Sequence, residues 1–194
     1  MRLVLWFFTL ARVALIPVFL PLGLAAQRVA RSGADAADLR WAAVGTLVVM
    51  GLTDVIDGWI ARRFQLTTQM GAVVDAAADK LVQVTLVAFF TLSVGPVFTP
   101  LPLAFLLVIF GRDLILLVGV SVLRARHGPI RVVHRRHGRV TSVMISMVLA
   151  WAAFGLPEAG LIPLATATAA LAVVSATLYS IDGIQQGRRA GKPA

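Results

Sequence analysis

The chain of 194 residues is 59% hydrophobic and only 14% charged, with a mean hydropathy of +0.88 and a formal net charge of +9. A soluble domain carries roughly 25% charged residues, so this composition excludes an ordinary water-soluble globule and points to a membrane protein. The length suits a single domain spanning residues 1–194.

A bilayer core takes about 20 apolar residues per helix. Six such runs follow one another in chain order: about Leu3–Ala26, Trp41–Ala61, Met70–Val94, Pro100–Leu123, Val140–Phe154 and Leu161–Ile184. The fifth is the shortest. The fold expected is therefore an all-α integral membrane protein with six transmembrane helices. Cleavage of the first run as a signal peptide is not expected, because Arg12 interrupts its apolar part and the run is long for a signal.

The linkers alternate in charge. Arg28, Arg31, Asp35, Asp38 and Arg40 lie between the first two runs, "SVGPVFTPLP" after the third has no charge, and "GLPEAG" after the fifth has only Glu158. The opposite side carries Arg62, Arg63, Arg124, Arg126, Arg131, Arg135, Arg136, Arg139, Arg188, Arg189 and Lys192. The positive-inside rule puts that side, and both termini, in the cytoplasm, which agrees with an even number of spans. Basic residues that fall mostly between and after the apolar runs suit topology and anionic lipid. No basic surface interleaved with aromatics argues for nucleic acid.

Against this background, "TDVIDGWIARRFQLTTQMGAVVDAAADK" (Thr53 to Lys80) is anomalous, with four aspartates beside the membrane interior. Asp54, Asp57, Gly58, Ala61 and Arg62 share one face of a 3.6-period helix, as do Gly71, Asp75 and Asp79 on the next run. The short link between the runs predicts antiparallel neighbours that bring two carboxylates from each helix together. Such a cluster calls for cations. Without cysteine, and with all three histidines in one polar stretch, any buried metal would rely on oxygen ligands, which favour Mg²⁺, Mn²⁺ or Ca²⁺. Four carboxylates suit a pair of ions of the kind used in phosphoryl chemistry. Gly58, Ala61 and Gly71 either admit a bulky ligand or simply allow helix packing. Arg62 suits a phosphate. An ion-coupled transporter is the rival reading, since intramembrane aspartates also serve ion and proton pathways.

Asp54-x2-Asp57-Gly58-x2-Ala61-Arg62-x8-Gly71-x3-Asp75-x3-Asp79 resembles the signature of the CDP-alcohol phosphotransferases at all eight positions. The resemblance implies a six-helix membrane enzyme, usually a homodimer, that moves a phosphatidyl or similar group from a CDP-linked donor to an alcohol and releases CMP. It implies that Asp54, Asp57 and Asp75 hold two Mg²⁺ or Mn²⁺ ions, with Asp79 completing the site and serving as general base. The CDP donor would lie against Asp54, Gly58, Ala61, Arg62, Gly71 and Asp75. The site would face the cytoplasm, in a membrane of the bacterial inner type.

"TLARVALIP" (Thr9 to Pro17) and "TTQMGAVVDAAADK" are similar to segments of phosphatidylglycerophosphate synthases, which implies CDP-diacylglycerol as donor and glycerol 3-phosphate as acceptor. Trp6, Ala76 and Arg112-Asp113 depart from that pattern, and the last pair is closer to the related cardiolipin synthases, which use phosphatidylglycerol. Lys80, Arg112 and Arg139 are the candidates for acceptor phosphate. Arg112 lies within an apolar run and needs a partner, and the helical turn aims the neighbouring Asp113 elsewhere. Arg12 either faces the site or snorkels to the interface.

Overall fold

In a computed structural model, residues 2–63, 69–127 and 136–190 are described. They form six helices: α1 (Arg2–Arg31), α2 (Ala37–Arg63), α3 (Gln69–Leu92), α4 (Leu103–His127), α5 (Arg136–Ala153) and α6 (Glu158–Ala190). Each predicted run falls on one helix, and the described residues contain no strand. Among the described residues, three stretches are long and apolar enough to cross a bilayer, Leu10–Arg31, Ala37–Ile56 and Glu158–Ile181, while Val140–Ala153 is apolar but shorter. Large apolar side chains point outward along the helices, among them Leu52, Val55, Leu107, Leu117 and Val174. In water that surface would aggregate; in lipid it is the surface a membrane protein presents. The protein is an integral membrane protein.

The helices fall into two compact units. The first holds Met1–Pro100 and Ala152–Leu156, and the second Leu101–Trp151 and Pro157–Ala194.

In the first unit α1 is the hub, packing against both α2 and α3. Its buried positions, Arg12, Ile16, Phe19, Gly23, Ala26 and Gln27, recur at helical spacing and form one stripe. The matching stripe of α3 is Ala78, Val82, Leu86, Phe89 and Phe90. Contacts advance together along both helices, from Arg12 beside Asp79, through Phe19 on Phe89, to Gln27 on the carbonyl of Ser93. α1 and α3 therefore run parallel, and α2 returns antiparallel between them in chain order. At the far end the rings of Phe19, Phe89, Phe90 and Phe98 meet edge to face or tilted, with centroids 4.8–6.1 Å apart. Gly23 leaves room for the Phe89 ring, and a Cβ there would stand 2.5 Å from it.

The connections at that end explain several charges. α1 stops at Gly33, whose φ of 79° suits glycine, with amides folded back on the carbonyls of Arg28, Val29 and Ala30. Asp35 Oδ1 then accepts the amide of Ala37 at 2.9 Å and opens α2. The buried Gln27 donates to Ser93 O at 2.9 Å and accepts the Val97 amide at 3.2 Å, supplying partners that an irregular linker lacks. Arg31 donates to the carbonyl of Val94, and Arg40 to that of Phe154 at 2.7 Å. Two arginines on the less basic side of the chain are thus engaged with backbone carbonyls.

Gly155, at φ 60°, follows α5 with its Cα facing Val97 O; an added Cβ would lie 2.9 Å from that oxygen. Gly155→Ala is expected to cost about 1–2 kcal/mol, from left-handed strain plus the displaced carbonyl. Thermal unfolding in detergent checks this, and an unchanged midpoint would mean that the linker rearranges freely.

In the second unit α4 packs on α6. The buried residues of α6, Leu161, Ala165, Thr168, Ala172, Ser175 and Ala176, make a stripe of mostly small side chains that lets helix axes approach closely. Phe105, Ile109 and Arg112 are buried on α4. Trp151 Nε1 donates to Pro157 O at 3.1 Å, and its ring lies against Gly160.

Candidate active site

The helical spacing of the motif from Asp54 to Asp79 is retained. α2 stays helical to Arg63 and α3 from Gln69, so Asp54 and Asp75 with Asp79 lie toward the adjoining ends of successive helices. The side chains of Asp57, Gly58, Ala61, Arg62 and Gly71 lie outside the described residues, although their backbones belong to α2 and α3.

The described carboxylates meet at one group. Arg12 Nη1 stands 2.8 Å from Asp54 Oδ1 and also donates to Asp79 Oδ1, while Arg12 Nη2 is 3.9 Å from Asp75 Oδ1. Only 4% of the Arg12 side chain is exposed, whereas the three aspartates keep 45–55% of theirs accessible. Each carboxylate thus turns one side to the guanidinium and leaves the other open.

Carboxylates from α2 and α3 do come together, and among the described residues α1 packs against both of these helices. The carboxylates of the two helices are joined through α1, and Arg12 is the link. Of the two readings open for Arg12, the structure selects the one that faces the site. The physical reason is its position on the buried stripe of α1, two turns before Phe19, which turns the side chain toward α2 and α3.

Arg112 corrects an expectation. Its side chain is 6% exposed, and Nη1 donates to Asp113 Oδ1 at 3.2 Å. Adjacent helical positions diverge at Cβ, but the long arginine stem bends back to its neighbour. Its Nε, also buried, has no partner among the described residues. Lys80 Nζ donates along α3 to Gln83 Oε1 at 3.2 Å. Arg139 belongs to α5, and its side chain lies outside the described residues.

Three carboxylates from two helices share one cationic group and stay open on the other side, and carboxylate oxygens are the donor type that hard divalent ions prefer. Among the described residues, no three acidic or imidazole groups are arranged to hold an ion by themselves. The described carboxylates gather around the guanidinium.

The family model for CDP-alcohol phosphatidyltransferases matches residues 6–178, a span that contains the whole eight-position motif and Arg12. The chain belongs to the CDP-alcohol phosphatidyltransferase family. Members of this family generally use divalent metal ions. The chain is 36% identical over 121 residues to a cardiolipin synthase (CMP-forming) of Streptomyces coelicolor, covering 62% of this chain and 50% of that one. It is 37% identical over 99 residues to a cardiolipin synthase (CMP-forming) / mitochondrial hydrolase fusion protein of Schizosaccharomyces pombe, covering 51% of this chain and 16% of that one. This CDP-alcohol phosphatidyltransferase-family chain thus spans half or less of the length of these relatives.

Proposed function

We propose that the protein transfers a phosphatidyl group from CDP-diacylglycerol to an alcohol and releases CMP, as a single domain of residues 1–194. The observation that carries this reading is the meeting of Asp54 on α2 with Asp75 and Asp79 on α3, in a chain that bears the complete family motif.

Asp54, Asp57 and Asp75 would hold two Mg²⁺ or Mn²⁺ ions, with Asp79 completing the set. Bound there, such ions neutralise the diphosphate and the departing CMP. Asp79 accepts the proton of the acceptor hydroxyl. The freed oxygen forms a new bond to the phosphorus that bears diacylglycerol, and the bond from that phosphorus to the oxygen kept by CMP breaks. Gly58, Ala61 and Gly71 leave the backbone open to the CDP portion, and Arg62 binds its phosphate. Lys80, Arg112 and Arg139 are the proposed groups for acceptor phosphate.

Phosphatidylglycerol is the favoured acceptor, which would make the product cardiolipin. Both named relatives are CMP-forming cardiolipin synthases, and Arg112-Asp113 replaces the Arg-Glu common in the glycerophosphate enzymes. Glycerol 3-phosphate is the second reading, supported by "TLARVALIP" and by Lys80 after the last aspartate. In the same proposal α3, α4 and α5 complete six crossings, the site faces the cytoplasm of a bacterial-type inner membrane, and the enzyme is a homodimer.

Purified protein incubated with CDP-diacylglycerol and a panel of alcohols should release CMP only when Mg²⁺ or Mn²⁺ and an acceptor are both present. Chelation with EDTA should bring release to background, and the mass of the lipid product identifies the acceptor. Absence of metal-dependent CMP release with every acceptor would sink the reading and favour an ion-coupled transporter.

A further inference from the structure

The motif contains no residue of α1, yet among the described residues the most buried charged side chain at the site comes from α1. The Arg12 guanidinium contacts Oδ1 of all three described carboxylates: 2.8 Å to Asp54, 3.9 Å to Asp75, and a direct hydrogen bond to Asp79. These residues are proposed above to hold divalent ions, and the inference that follows rests on that reading.

We propose that Arg12 is the resident counter-cation of the carboxylate cluster, and that divalent ions bind by exchange with its guanidinium. A planar guanidinium presents five donors in a fixed fork, so one arginine can bridge several carboxylates where a lysine offers a single point charge. This solves a problem posed by the sequence. Carboxylates gathered at the end of a transmembrane helix repel one another, and without a cation nearby some must be neutralised. Arg12 supplies one positive charge from a third helix and ties α1, α2 and α3 together at the site.

The same contacts oppose metal binding. A divalent ion needs the oxygens that the guanidinium engages, and a fixed positive charge at 3–4 Å disfavours a second cation. Arg12 is thus a positioning residue with two effects of opposite sign: it holds the metal-free cluster together and sets the divalent affinity below what bare carboxylates would reach. The half-exposed faces of Asp54, Asp75 and Asp79 give an incoming ion access to the cluster from outside.

The test compares wild type, Arg12→Gln and Arg12→Lys in detergent, with free Mn²⁺ followed by electron paramagnetic resonance and unfolding followed in EDTA and in saturating Mn²⁺. Arg12→Gln removes the charge and should bind Mn²⁺ at least about tenfold more tightly than wild type. Its unfolding midpoint should fall in EDTA and recover in Mn²⁺. Arg12→Lys should bind with intermediate affinity, because its ammonium keeps the charge but cannot bridge three carboxylates. If the glutamine variant does not fold, the lysine variant decides alone. Affinities equal to or weaker than wild type, with the same midpoint difference in EDTA and Mn²⁺, overturn the exchange. If neither wild type nor the variants bind Mn²⁺, the metal reading falls first. If wild type binds and the variants match it, only the role of Arg12 falls.

Discussion

Asp79→Asn is expected to reduce CMP release from CDP-diacylglycerol by roughly two to four orders of magnitude, the range typical of losing a general base. Donor binding should be largely retained. The substitution keeps the size and one acceptor oxygen of the side chain, so the α1–α3 packing that presents it should persist. It removes the group that takes the acceptor proton. It also deletes a charge beside Arg12 and leaves the guanidinium with Asp54 and Asp75. Initial rates of CMP formation at saturating Mg²⁺, together with donor binding measured without acceptor, separate the two effects. Near-normal turnover would remove Asp79 from the role of base. A loss of donor binding equal to the loss of rate would instead assign it to the metal and diphosphate.

Much of this site is legible in the residues. The spacing of Asp54, Asp57, Gly58, Ala61 and Arg62 specifies a helical face whatever packs on it, and the family motif sits on the helices the periodicity predicts. The six apolar runs likewise announce six helices, because an unpaired backbone in lipid is too costly for any other local structure. Partnership between helices is less legible. A short link constrains where α3 can begin but does not prevent α1 from packing against both of its successors. That outcome depends on the complementarity of two stripes, Ile16 and Phe19 on one and Val82, Leu86 and Phe89 on the other, whose members are all apolar and interchangeable in a sequence pattern. Arg12 was ambiguous for a related reason. An arginine in an apolar run can turn toward the interface or toward an acidic partner, and only the phase of α1 decides. That phase could have been found by counting: Arg12 falls four residues before Ile16 and seven before Phe19. The Arg112–Asp113 pair is not legible from Cβ directions, which set the starting vector of a side chain but not the reach of a flexible one.

The largest structural effect is expected from Phe89→Ala. The ring is 6% exposed and touches Phe19 at a centroid distance of 4.8 Å, Phe90 at 5.2 Å and Phe98 at 5.9 Å. In a soluble core such a truncation costs about 3–5 kcal/mol, part of it transfer of apolar surface from water and part the cavity left behind. In lipid the transfer part largely vanishes, because the unpacked ring would meet hydrocarbon, while lost dispersion and edge-to-face contacts remain. A loss below that range, about 2–3 kcal/mol, is therefore expected, visible as a lower midpoint of thermal unfolding in detergent. Phe89→Leu should lose less, since it fills part of the space beside Gly23. Asp79 lies ten residues earlier on the same helix, about 15 Å along its axis, so turnover per folded molecule should change far less than stability. Asp79→Asn should show the reverse. An unchanged midpoint in Phe89→Ala would mean that α1 and α3 are held by the charged end alone. A loss of turnover in step with the loss of stability would mean that the aromatic end sets the register of Arg12 against the carboxylates, and the two ends of the interface would then act as one unit.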